Sequence, residues 1–215
     1  MSGDDDWSKT MRLSRISKKN NMRILKIAIG GAVLVGLGAG KVLLKLKPKT
    51  LKPVESLELH RFAGKWYEIA RKPVTIERRS FQNITTHYTV IDENKLEVEW
   101  HYNTDDGKLG QLFGEAVVVN PPDNSRFKIS YLPEFLHALR ARSYIIFRLD
   151  PDYKIMLLGN KKRTHLWLLA RDPNLDSRVV EDYLSVACEQ GFKLDNLIYV
   201  EHHKVAAKQT NSLKA

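Results

Sequence analysis

Between Gly64 and Ala170 eight short strand-like runs follow one another with no helical segment between them. This pattern constrains the fold most. A parallel sheet needs a crossover of a dozen or more residues between neighbouring strands, usually a helix, and none is present. The runs are Gly64–Arg71, Phe81–Ile91, Lys95–Asn103, Leu109–Val119, Arg126–Tyr131, Ser143–Leu149, Tyr153–Gly159 and Thr164–Ala170. Lys95–Asn103 alternates most cleanly, with Leu96, Val98, Trp100 and Tyr102 on one face and Glu97, Glu99 and His101 on the other. Asp105-Asp106-Gly107 is a hairpin signal. After the runs comes Asp176–Gln190, where Val180, Tyr183, Leu184 and Ala187 recur at helical spacing, with Asp176 as N-cap and Gly191 as stop. The fold class expected is all-β: an eight-stranded antiparallel up-and-down barrel with one C-terminal α-helix. A sandwich is the alternative, but short sequential turns favour the meander.

An up-and-down order assigns each connection to an end of the barrel. With Trp66 at the bottom, residues 92–94, 120–125 and 150–152 are bottom turns, and the eighth run leaves at the bottom through Arg171. Residues 72–80, 104–108, 132–142 and 160–163 lie at the top. Two of these top connections are long, so the top is expected to be the open mouth. Arg171 is expected beside Trp66, its guanidinium stacked on the indole.

These residues are where the chain resembles the lipocalins, specifically the bacterial group related to apolipoprotein D. Gly64-Lys65-Trp66-Tyr67-Glu68-Ile69-Ala70-Arg71 looks like the family's first motif, Gly-x-Trp. The Leu149-Asp150-Pro151-Asp152-Tyr153 turn lies where the second motif belongs and keeps only its aspartate, Asp150. Arg171 matches the arginine of the third. The resemblance covers roughly residues 55–200 and implies a calyx that carries small hydrophobic ligands, fatty acids and lysophospholipids in the bacterial group. It implies binding rather than catalysis, with no cofactor. Gly64, Trp66, Asp150 and Arg171 would close the barrel. Bacterial relatives typically bear an acylated N-terminal cysteine. Here Cys188 is the only cysteine and sits in the helical segment, so a protein helix is expected to replace the lipid anchor.

Strand parity gives a candidate lining for the ligand cavity. Glu68 and Ala70 follow Trp66. Thr86, Tyr88, Trp100, Tyr102, Phe127, Ile129 and Tyr131 lie on the apolar faces of their runs. His165 and Trp167 share parity with Arg171, and the resemblance also places a cavity tryptophan at Trp167. Small barrels can instead be filled by their own side chains. Glu68 inside an apolar barrel needs a partner, and His165 is a candidate by parity. That pair is also the one acid–base couple an enzyme on this scaffold would use. The remaining histidines show no spacing expected of a metal site, and His202-His203 is read as solvated.

Charge is unevenly placed. Residues 1–52 hold 12 Lys/Arg against 3 Asp, whereas residues 53–215 hold 23 Lys/Arg against 22 Asp/Glu. Basicity belongs to the N-terminal arm, which removes the main argument for a nucleic-acid partner. Bottom turns carry no Lys or Arg. The top carries Arg78, Arg79, Arg140, Arg142, Lys161, Lys162 and Arg163 among nine cations, against four acids that include Glu77. A basic rim around an apolar cavity suits an anionic lipid and an anionic membrane surface.

The arm divides into a basic tail (1–23), a hydrophobic segment (24–46) and a linker (47–54), followed by the barrel domain (55–200) and a polar tail (201–215). Ile27–Gly40 is uncharged but short for a ~30 Å hydrocarbon core, whereas Ile24–Leu46 spans it if its lysines snorkel. Two readings stand: a membrane anchor with the barrel exported into the cell envelope, or a secretory signal cleaved near Gly38-Ala39-Gly40, with translation starting at Met1 or Met22. Oligomeric state is not legible.

Overall fold

The computed structural model describes residues 50–75, 77–132 and 141–203. The anchor-or-signal segment 24–46, the tails 1–23 and 204–215, and Arg140 lie outside the described residues. No described helix is long and apolar enough to cross a membrane.

A short helix α1 (Leu59–Phe62) leads into β1 (Gly64–Arg71), β2 (Gln82–Asp92), β3 (Lys95–Asn103) and β4 (Leu109–Val118). The chain continues through β5 (Arg126–Ser130), β6 (Arg142–Leu149), β7 (Ile155–Gly159) and β8 (Leu166–Ala170). Helix α2 (Ser177–Glu189) and a two-residue strand β9 (Ile198–Tyr199) follow. Each of the eight strands pairs antiparallel with its sequence neighbour. β1 pairs with both β2 and β8, so the sheet closes into an up-and-down barrel. Expected and observed strands agree to within two residues at either end.

The two apolar layers of the molecule follow from α2. Its N-cap, Asp176, accepts from the Arg178 amide, and Gly191 ends it with φ +91°. Tyr183, Leu184 and Ala187 are buried against Ile145 and Phe147 of β6, Leu157 of β7, and Leu166 and Leu168 of β8. Those strands are therefore apolar on both faces: one faces the helix, the other the barrel interior. β3, with water outside, keeps its clean alternation. Phe192, just past the helix, stacks on Phe147 with centroids 5.2 Å apart. It comes so close to Gly159 that a Cβ there would meet its ring at 2.7 Å.

Several features were not anticipated. β1 follows β2 only as far as Tyr67↔Thr85, and its upper half pairs instead with β9 through Ala70↔Tyr199 and Arg71↔Ile198. The following residues continue this patch, with the Val200 amide on the Ile69 carbonyl and the Asn83 amide on the Glu201 carbonyl. His202 is consequently not a solvated tail residue: its Nε2 lies 2.8 Å from the Glu68 carbonyl oxygen, and its ring meets Tyr67 edge-on. Leu51, placed by sequence in a linker, is buried in the layer beneath α2.

Candidate functional site

The bottom of the barrel is built around Arg171. Its guanidinium carbon lies 3.9 Å over the Trp66 ring. Its nitrogens donate to the carbonyls of Arg61, Phe62, Ala63 and Lys65 at 2.7–3.0 Å. These are the carbonyls left unpaired where α1 ends and β1 begins, so one cation caps the short helix and covers the indole. Gly64 is needed there twice: its φ is +95°, and a Cβ would stand 3.2 Å from Arg171 Nη1. Trp66 is wholly buried and donates from Nε1 to the Phe62 carbonyl. Asp150 holds the adjoining turn, accepting from the amides of Asp152, Lys154 and Ile155. This turn presents the Tyr153 carbonyl to Arg171 Nε. The structure thus brings Gly64, Trp66, Asp150 and Arg171 together at one end.

Above this floor is a cavity of about 50 Å³. Seven residues singled out from sequence line it: Glu68, Thr86, Tyr88, Trp100, Ile129, Tyr131 and Trp167. Three others do not. Phe127 lies in the floor, stacked on Phe62 with centroids 5.6 Å apart. Tyr102 stacks on Phe81 at 4.2 Å, in an aromatic group with Trp100 near the mouth. His165 packs 6.0 Å from Tyr144 and 5.8 Å from Trp167, its Nδ1 buried without a partner among the described residues. The cavity is several-fold smaller than the ~300–1,000 Å³ pockets that enclose drug-sized ligands. The reason lies on β4, whose inward positions include Gly110 and Gly114. The Tyr102 ring lies over the first and the Tyr131 ring over the second, occupying space a larger side chain would take.

The parity reading of β1 fails after Glu68. A register shift against β8 falls between Glu68 and Ala70, so Ala70 joins the layer under α2 and Arg71 returns to the inner side. Arg71 is completely buried and meets Glu68 Oε1 through Nη1 at 2.7 Å. Its Nε is 2.9 Å from Glu77 Oε2, and its Nη2 donates to the Arg78 carbonyl. Trp167 Nε1 donates to the same Glu77 oxygen at 3.3 Å. Glu68 therefore pairs with Arg71 and not with His165, and the acid–base couple considered from sequence is not assembled. Burial pushes the Glu68 carboxyl well above the usual range, reinforced by the Glu77 charge and only partly opposed by Arg71. Burial likewise raises Glu77 to about 7. Glu77, counted from sequence as a rim charge, is a cavity residue.

Arg78, Arg79, Arg142, Lys161 and Lys162 are exposed at the mouth end. Arg163 is not a free rim charge: its Nε donates to the Gln190 carbonyl at 2.6 Å and its Nη1 to Lys161, tying the β7–β8 turn to the end of α2. Lys108 pairs with Asp106 at 2.6 Å. Arg71, Glu77, Tyr144 and Leu158 belong to the site but were not singled out from sequence as cavity residues. Tyr144 and Leu158 sit on strands apolar on both faces, where parity alone cannot say which side is inward. Arg71 is displaced by the bulge, and Glu77 lies in a connection with no periodicity.

A closed eight-stranded calyx, sealed below by a stacked Trp–Arg pair and lined above by aromatic rings, defines a small-ligand-binding barrel. Residues 57–202 match the family model described as a lipocalin-like domain, and the chain belongs to the lipocalin family. Among its relatives is "Outer membrane lipoprotein Blc" of Vibrio cholerae, 30% identical over 156 residues, covering 72% of this chain and 88% of that protein. The protein of the same name in Escherichia coli is 30% identical, covering 72% of this chain and 84% of its own. Insecticyanin from Manduca sexta shares the fold with a TM-score of 0.56 at 17% identity, over 72% of this chain and 85% of that one.

Proposed function

We propose that the protein binds and carries small hydrophobic molecules at the cell envelope, its ligands being single-chain lipids such as fatty acids and lysophospholipids. The observation that carries this reading is the pairing of an aromatic-lined cavity with an exposed basic end. The names of the relatives, outer membrane lipoproteins, support the location. The chain would lie among Trp100, Ile129 and Trp167, and an anionic head would stay near Arg142, Lys161 and Lys162 at the mouth. Arg78 and Arg79 would add to that rim. Loading requires Tyr131 and the Phe81–Tyr102 stack to move outward, since the cavity of about 50 Å³ cannot hold a long chain as it stands. The segment at 24–46 would tether the barrel to a membrane or, if cleaved, release it.

Tryptophan fluorescence tests the reading. Long-chain fatty acid should quench or shift emission in the native protein. Replacing Trp100 and Trp167 together by Phe should abolish the response, because Trp66 is sealed in the floor. A response that survives the double replacement would put the ligand elsewhere.

A further inference from the structure

The cluster on the upper cavity wall holds two carboxylates and one guanidinium, all nearly inaccessible to water: Glu68 is 2% exposed, Glu77 8% and Arg71 0%. Ionised, it bears one more negative than positive charge. Among the described residues, its carboxylates also have more acceptor sites than hydrogen bonds that reach them. Two carboxylates offer on the order of eight acceptor sites. Among the described residues, the hydrogen bonds that reach them come from Arg71 Nη1 to Glu68 and from Trp167 Nε1 to Glu77, with Arg71 Nε 2.9 Å from the same Glu77 oxygen. Both carboxylates line the cavity, so a molecule entering it meets acceptors in want of donors. An incoming anion meets like charge there, and Arg71, the one cation in contact with the two acids among the described residues, is already engaged by both and by the Arg78 carbonyl.

We propose that Glu68 and Glu77 form a selectivity subsite that takes a hydrogen-bond-donating head, hydroxyl or ammonium, of a single-chain lipid and turns away a bare carboxylate. This deepens the carrier reading and rests on it. The basic residues at the mouth lie outside this subsite, so an anionic group is accommodated at the rim and a donor group below it. A lipid with a hydroxyl a few atoms from its anionic head meets both sets of groups, whereas a fatty-acid carboxylate meets only the outer one.

Other titratable groups surround the pair. Tyr131, just past β5, and Tyr144 of β6 line the same cavity, and burial raises both phenols, so they stay neutral. His165, just before β8, is lowered by burial and by Arg142, and His202, on the Glu68 carbonyl, is lowered chiefly by burial. Above neutral pH both imidazoles are uncharged and Glu77 with Arg71 sets the local charge, while burial holds the Glu68 carboxyl well above the usual range, toward its protonated form.

The test compares dodecanol, dodecylammonium and laurate at about pH 8, above the point where Glu77 releases its proton, using calorimetry on the intact protein. Dodecanol and dodecylammonium should bind about tenfold or more tighter than laurate. Glu77→Gln and Glu68→Gln, each a neutral isostere, should tighten laurate binding and narrow that gap. The two variants back each other should one fail to fold, and the native head-group series stands without either. Equal affinities for all three in the native protein, or a gap unchanged in both variants, would overturn the subsite and leave the carrier reading intact. Failure of all three probes to bind would overturn the carrier reading itself.

Discussion

At the scale of single residues the two ends of the cavity differ in how visible they are. Trp66 and Arg171 could be paired from sequence because an up-and-down meander places the start of its first strand beside the end of its last. No such rule reaches the Glu68–Arg71–Glu77 cluster. One irregular register step in β1 swaps Ala70 for Arg71 on the inner face, and the third member comes from a loop. Trp66→Ala should cost about 3–5 kcal/mol of stability, as large-to-small core changes do. It would also uncover Arg171, and chemical denaturation measures the loss. The cluster should make stability depend on pH. Glu77 is raised from 4.5 to about 7, so its protonated form is favoured by folding. Its contribution is fully present below about pH 4.5 and is lost as pH rises through about 7. Glu68, raised in the same direction, acts with the same sign. Glu77→Gln should flatten the fall in denaturation midpoint between those limits. A wild-type midpoint that rises across the window would contradict the assignment.

Among the elements, all eight long strands and α2 were legible because each carries a period, a cap or a turn residue of its own. α1 and β9 were not: four residues and two residues are too short for a period. Both are fixed by partners far away in sequence, α1 by Arg171 and β9 by the upper half of β1. The inward face of β4 shows how an element sets the size of the site. A Cβ at Gly114 would meet the Ser130 carbonyl oxygen at 2.5 Å as well as the Tyr131 ring, so the backbone itself must shift. Gly114→Ala should therefore destabilise by about 1–3 kcal/mol. At Gly110 the nearest atoms belong to the far end of the Tyr102 side chain, which can swing aside. Gly110→Ala should be milder and should loosen the aromatic group at the mouth. If the closed rings limit loading, Tyr131→Ala should raise affinity for a long-chain ligand on the order of tenfold, by removing the opening step from the binding equilibrium. Lower affinity in that variant would mean that Tyr131 holds the ligand more than it excludes it.

On the scale of the whole barrel, the turns at one end are acidic and the connections at the other expose basic residues. The floor is sealed by Arg171 and flanked by turns with Asp92, Glu93, Asp150 and Asp152 but no Lys or Arg in residues 92–94, 120–125 or 150–152. The other end exposes Arg78, Arg79, Arg142, Lys161 and Lys162. This polarity was legible from topology and loop composition together. The engagement of Arg163 and the burial of Glu77 were not, because a loop sequence does not say which of its charges fold inward. Lys161→Glu with Lys162→Glu should weaken an anionic lysolipid and leave a neutral analogue nearly unchanged, whereas equal loss of both would assign these lysines no part in head-group recognition. The central claim, that this barrel is a lipid carrier, is tested most directly by incubating the purified protein with a cell lipid extract and identifying by mass spectrometry what stays bound. The account predicts a single-chain lipid, recovered chemically unchanged and lost when Trp100 and Trp167 are replaced by charged side chains. A barrel that retains no lipid, or one that returns it chemically altered, would contradict the account.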